Sequence, residues 1–248
     1  MKIKKISFII PVYNEQTRIL ASLNELNAYF KTFKFEYEII FVNDGSDDST
    51  KDILTQYINE NNLKYFKALD FTFNRGKGAA IKFGMLNASQ DSTHFFFMDI
   101  DLSTPLSEID NFIKHLTSGN EDIIIGSRSL QDSRVLKRQI FYRECMGKTF
   151  NKIVKLIIFT KFIDTQCGFK LFNKRAKEKI FRNLRIARFS FDVEIIFLAA
   201  KYGFSISEKP VIWINNELSK VNIIYDSLQM FIDIFKIRWY WFTNKYEK

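Results

Sequence analysis

Histidine and cysteine are nearly missing from this chain, with two of each in 248 residues. Cys145 and Cys167 lie apart and lack the paired spacing of zinc ligands. Neither a zinc site nor a disulfide scaffold is therefore encoded, and a reducing compartment such as the cytoplasm fits. His94 falls in an apolar run of strand character and His115 in a helical pattern, which leaves Cys167 without a base to activate it. Proline and glycine are scarce too: 3 Pro and 9 Gly provide no linker, and no repeat or low-complexity stretch interrupts residues 1–248, so one domain is expected. Long hydrophobic runs are also absent. Ile6 to Val12 is too short for a secretory leader and leads into Asn14-Glu15. The most apolar helix candidate, Tyr225 to Phe242, carries Asp226, Asp233, Lys236 and Arg238, which are costly at a bilayer centre.

What is abundant is positive charge and phenylalanine. A net charge of +9 with 27 Phe predicts an anionic partner that also offers apolar contact. Nucleic acid, anionic lipid and phosphorylated small molecules all share that chemistry. Runs at Ile6 to Val12, Tyr37 to Val42, Tyr65 to Leu69, His94 to Met98 and Asp122 to Ile125 have strand length and β-branched or aromatic content. Between them apolar residues recur at helical spacing, as in Leu20, Leu23, Leu26 and Phe30, or Ile53, Leu54, Tyr57 and Ile58. This alternation predicts an α/β fold with a mostly parallel central sheet and helices on both faces.

In such a sheet ligands lie beyond the carboxyl ends of the strands. The chain places Tyr13-Asn14-Glu15, Asn43-Asp44-Gly45-Ser46, Asp99-Ile100-Asp101 and Gly126-Ser127-Arg128 there, an acid, amide and arginine rim. Asp99 and Asp101 can hold Mg²⁺ or Mn²⁺ against a diphosphate, because these hard cations share their positions among carboxylates, phosphate oxygens and water. Asn74-Arg75-Gly76-Lys77-Gly78 opens a helix, so backbone N–H groups and two cations favour phosphate. No Lys-Ser/Thr follows, which rules against a Walker-type loop. Asp48 or Ser49 is expected to cap the helix after the second strand.

Three ordered motifs, Phe8 to Glu15, Phe41 to Thr50 and Asp99-Ile100-Asp101, resemble the family 2 glycosyltransferases of the GT-A (Rossmann-like) fold. The resemblance implies that Pro11, Tyr13, Asn14 and Glu15 shape a nucleoside pocket and that Asp44 contacts the base. It also implies that Arg75 and Lys77 flank the donor, and that Asp99 and Asp101 hold the metal and diphosphate. Asp164 to Phe172 and Phe191-Asp192-Val193-Glu194 look like the polyprenyl-phosphate branch of that family, most closely dolichyl-phosphate β-glucosyltransferase-like proteins. This implies UDP-glucose as the favoured donor, with Arg128, Arg134, Arg138 and Arg143 on the acceptor phosphate and Asp164 and Gln166 lining the site. Asp101 and Arg128 then act in catalysis. Asp192 or Glu194 is the candidate base if the acceptor is a hydroxyl. Residues 1–101 form the nucleotide half, 102–221 the acceptor half and 222–248 a C-terminal amphipathic helix.

A lipid acceptor predicts a protein that reaches the cytoplasmic face of a membrane. Over Lys148 to Phe162, Phe150, Ile153, Val154 and Ile157 share one helical face while Lys148, Asn151, Lys152 and Lys155 lie opposite. In the last helix a narrow polar stripe of Asp226, Gln229, Asp233, Lys236 and Tyr240 leaves the remainder apolar. Membrane contact, the catalytic domain, a second copy or a membrane partner protein would each cover such a surface. A saccharide acceptor is the alternative within the same chemistry. A non-catalytic protein that binds anionic lipid or nucleic acid is the alternative outside it. Nucleic acid is disfavoured, because carboxylates in a basic cleft would weaken binding.

Overall fold

The computed structural model describes residues 3–137, 141–158, 160–215 and 223–247, with the backbone alone for 117–118, 137, 141–148 and 223–225. Four of the apolar runs become a parallel block: β1 (Lys5–Val12), β2 (Glu36–Asn43), β3 (Phe66–Asp70) and β4 (His94–Met98). The sheet continues through β5 (Ile123–Ser127), β7 (Phe169–Asn173) and β8 (Ile206–Pro210), in the order β3-β2-β1-β4-β7-β5-β8. Strand β7 runs antiparallel to both neighbours, β4 and β5. Its first residue, Phe169, pairs with Met98 at the end of β4, so the Gly168 turn reaches the edge where the parallel strands finish. A small separate sheet pairs β6 (Arg134–Lys137) with β9 (Ile212–Ile214).

Helices α1 (Ile19–Phe30), α2 (Thr50–Glu60) and α4 (Ser107–Ser118) supply the core on one face of the sheet. Helices α3 (Lys77–Asn87), α5 (Phe141–Ile158), α6 (Lys174–Asn183), α7 (Phe191–Lys201) and α8 (Ile223–Phe242) supply it on the other. Both faces being covered explains why all five residues of β4 are buried. In α1 the buried stripe is Ile19, Leu23, Leu26 and Phe30, whereas Leu20 is 51 % exposed. The leucine spacing thus misplaces the stripe by one residue at its start. At α2, Ser49 stands at the cap position without capping through its side chain, and Asp48 Oδ1 accepts the Thr50 N–H at 3.0 Å instead. Among the described residues no helix is long and apolar enough to cross a membrane.

Candidate active site

Asp99 and Asp101 leave the end of β4 and line a cleft of about 300 Å³ together with Pro11, Tyr13, Glu15, Asp44 and Lys77. Lys77 Nζ lies 2.6 Å from Asp99 Oδ1, and Asp101 accepts the Ser103 N–H at 2.9 Å. Burial raises the Asp101 pKa, and the charge of Asp99 raises it further. Burial lowers the Lys77 pKa, but Asp99 and then Asp192 outweigh that and the net shift is upward. Two close carboxylates, one of them disfavoured as an anion, suit a divalent cation. Among the described residues no cluster of three or more His, Cys, Asp or Glu forms, so the remaining ligands of Mg²⁺ or Mn²⁺ would be phosphate oxygens and water.

Gly168 sets how closely the β7 turn approaches this pair. A Cβ there would stand 2.2 Å from Asp99 Oδ2 and 2.7 Å from its Cγ. The obstruction is the end of a side chain, so Gly168→Ala is expected to fold while swinging the Asp99 carboxylate away. Divalent-metal affinity, read from a metal titration of activity, should fall about 10-fold or more with an unchanged melting temperature.

On the nucleotide side Asp44 lines the cleft, while Asn14 and Arg75 stand outside its lining. The four bonds to the Asp44 carboxylate come from the turn before α3: from Arg75 N–H at 2.7 Å, Gly76 N–H at 2.9 and 3.2 Å, and Asn74 Nδ2 at 3.0 Å. Its carboxylate borders the cleft, yet its first task is to hold Gly76, whose φ of +102° and close approach to Ala187 O admit no Cβ. Asn14, at φ +53°, ties the β1 end to the β2 loop through Ser46 Oγ and the Asp47 N–H, and does not line the cleft. Arg75 does not line it either. Its guanidinium lies over Phe71, 4.8 Å from the ring centre.

A second hollow of about 100 Å³ shares Asp99, Asp101, Ser103 and Trp213 with the cleft and adds Arg128, Gln166 and Gly168. Arg128 is not a free fork. Its Nε and Nη2 donate to Asp164 at 2.7 and 2.9 Å, and its ring-facing side lies 5.6 Å from Trp213. Any phosphate in this hollow would meet the remaining edge. Arg134 is exposed on β6 and lines neither hollow. Arg138 lies outside the described residues, and of Arg143 only its place in α5 is described. Asp192 is buried at the start of α7, paired with the fully buried Lys170, and absent from both linings. Cys167 is buried with its thiol pushed up to about 12, chiefly by burial, which suits a structural side chain.

The family model named Glycosyl transferase family 2 matches residues 7–181, most of the chain. The chain belongs to that family. A dolichyl-phosphate beta-glucosyltransferase of Dictyostelium discoideum is 35 % identical over 94 % of this chain and 73 % of its own length. One from Drosophila melanogaster is 34 % identical over 94 % and 74 %. Among solved structures, glucosyl-3-phosphoglycerate synthase from Mycobacterium tuberculosis, crystallised with Mn²⁺, UDP and glucosyl-3-phosphoglycerate, superposes with a TM-score of 0.70. It is 12 % identical and covers 94 % of this chain and 80 % of its own. Mannosyl-3-phosphoglycerate synthase from Rubrobacter xylanophilus gives 0.72 at 10 % identity over 99 % and 76 %. These structures share the GT-A fold with this family 2 chain.

Several cleft residues of this glycosyltransferase carry no motif that would have revealed them. Arg18 Nε and Nη2 donate to Glu15, while its Nη1 is buried without a hydrogen-bond partner among the described residues. Arg188 and Phe189 arrive from the α6–α7 loop, Trp213 and Asn215 from β9 and the residues after it, and Asp226 from α8. Glu194, a candidate base by sequence, turns away from the cleft. It accepts the N–H of Arg185 at 3.0 Å, that of Ile186 at 2.7 Å and the Tyr246 hydroxyl at 2.6 Å, tying the Arg188 loop to the chain after α8.

Burial lifts the Glu194 carboxyl to about 7 despite those donors, from 4.5 in the open chain. Between these values the folded state keeps a proton that the unfolded state has lost. Stability therefore falls as pH rises through that window and levels above it. Glu194→Gln can accept both N–H groups and donate to Tyr246, so it should remove a fall of about 3 kcal/mol. Urea denaturation of both proteins at about pH 5 and about pH 8 measures it.

Proposed function

We propose that this chain is an inverting, metal-dependent transferase that moves glucose from UDP-glucose to a polyprenyl phosphate, giving a β-linked lipid-phosphate sugar. The observation that carries the reading is the carboxylate pair on the boundary between two hollows, one large enough for a nucleotide and one bordered by Arg128. The relatives named above agree with it in name and in span. Asp99 and Asp101 would hold Mg²⁺ or Mn²⁺, which supplies charge neutralisation for the leaving diphosphate. Lys77 stands beside them, with Arg18 and Arg188 lining the same cleft, so the chain adds cationic charge around the diphosphate. Residues 1–101 supply most of the donor cleft and residues from 102 onward most of the Arg128 hollow and the rest of the cleft wall, and we place the enzyme peripherally at the cytoplasmic face of a membrane.

A phosphate monoester acceptor needs little acid–base help. Its second pKa is about 6, so at neutral pH it is already largely a dianion and only has to be aligned with the anomeric carbon. A single displacement inverts that centre, converting an α-linked donor into a β-linked product. A hydroxyl acceptor would need a carboxylate base, and the buried ion pair of Asp192 with Lys170 counts against that role. Incubation with dolichyl or undecaprenyl phosphate and labelled UDP-glucose, GDP-mannose or UDP-N-acetylglucosamine, followed by organic extraction, tests the donor. Label should enter the organic phase from UDP-glucose. Label from GDP-mannose alone would overturn the donor assignment.

A further inference from the structure

Helix α8 is turned inside out for a helix facing water. From Asp226 to Phe242 its exposed residues are Leu228, Phe231, Ile232, Phe235, Trp239 and Phe242, all large and apolar, with Trp239 at 61 % and Phe242 at 68 %. Its two acids lie underneath. Asp226 and Asp233 are buried, and Gln229 and Lys236 both donate to Asp233, at 2.8 and 3.0 Å. The spacing of the exposed set, at three and four residues, makes one continuous row that nothing in the chain covers among the described residues. A row of this size and content on a free surface marks an interaction face.

The neighbouring surface is basic and apolar. Arg238 Nη1 donates to the carbonyl of Ile157 in α5, and beside that contact Leu156 is 74 % exposed. Residues 149–163 contain Lys152, Lys155 and Lys161 and no acid, and Ile163 is exposed just after them. The start of helix α8 also abuts the donor cleft: Asp226 lines it, and Ser190 Oγ, next to Phe189 of the cleft wall, donates to the Met230 carbonyl at 3.2 Å.

We propose that the outer face of α8 seats on an anionic lipid surface, with the α5 lysines against the headgroups and the cleft held beside the membrane. Aromatic and aliphatic side chains at the acyl boundary with flanking lysines are the chemistry that such a surface selects. A second copy of the chain would bury the apolar row but would bring like charges together at its edge. The inference rests on the lipid-phosphate acceptor proposed above, and it specifies the surface that brings the enzyme to that acceptor.

The test uses the full chain and the double variant Phe235→Asp/Trp239→Asp, both exposed positions that the fold tolerates, with thermal melting to show that it does. Sedimentation with vesicles of phosphatidylcholine, with and without phosphatidylglycerol, should give wild-type binding that is stronger on the anionic vesicles, weakened about tenfold or more in the variant. Transfer to a short, water-soluble prenyl phosphate without vesicles should be equal for the two proteins. Vesicle binding that is absent in wild type, or unchanged in the variant, would overturn the proposal. So would a wild-type dimer in light scattering that the variant dissolves. If wild type binds anionic vesicles, the variant does not, and neither protein transfers glucose to the soluble acceptor, the docking surface stands and the acceptor reading fails.

Discussion

Asp101→Asn is expected to cut glucosyl transfer by about 10²–10³-fold while leaving the melting temperature near that of wild type. The amide is isosteric and can keep the bond from the Ser103 N–H. What it removes is one of two negative charges, and that charge is already disfavoured in the folded protein by burial and by Asp99. Stability therefore has little to lose. Metal affinity has a great deal to lose, since among the described residues no third acidic or imidazole ligand stands in the cluster to compensate. Isothermal titration of Mn²⁺ in the presence of UDP, paired with the transfer rate, separates the two effects. Wild-type turnover with weakened metal binding would remove the metal from the account.

Asp192→Ala carries the largest expected stability cost, about 3–5 kcal/mol, because it strands a buried cation. Lys170 is 0 % exposed and its ammonium is held by Asp192 and by the Cys167 carbonyl at 2.6 Å. Deleting the carboxylate leaves one carbonyl and the face of Phe97, 5.3 Å away, to stabilise a full charge. Taking Lys170 and Asp192 out together, as Lys170→Met/Asp192→Leu, should recover much of the loss, since desolvating the pair offsets most of its attraction. Thermal denaturation should show the single variant melting roughly 6–20 °C lower. A change within about 1 °C would show that water reaches Lys170 in solution.

These two aspartates illustrate what the sequence makes legible. Asp99 and Asp101 follow an unmistakable apolar strand, and strand ends in a parallel sheet face the ligand, so position alone points to their cleft. Asp192 sits in a motif of similar clarity, yet its partner Lys170 lies on β7, and no local pattern announces a pair formed across the sheet. Strand β7 lies within the Asp164 to Phe172 motif but is not among the runs read as strands, and its direction is beyond reach because periodicity carries no sign. That reversal delivers Gly168 to Asp99. Arg128 follows the end of β5, as its place in the sequence suggests, and its bond to Asp164 is hidden by the chain between them. The wall of Arg188, Trp213, Asn215 and Asp226 follows from tertiary packing alone. In α8 the narrow polar stripe is visible in the sequence, and only the fold shows that its two aspartates face inward.

The claim that the nucleophile is a phosphate, already ionised and needing no base, meets its most direct test in a pair of matched acceptors. Labelled UDP-glucose is offered with a polyprenyl phosphate and, separately, with the same polyprenol lacking its phosphate, and the organic-phase product is counted. The geometry predicts label with the phosphate and none above background with the free alcohol. Comparable transfer to the alcohol would contradict it, since that reaction requires a proton acceptor at the cleft and the two carboxylates considered for the task are committed elsewhere, Asp192 to Lys170 and Glu194 to Arg185, Ile186 and Tyr246.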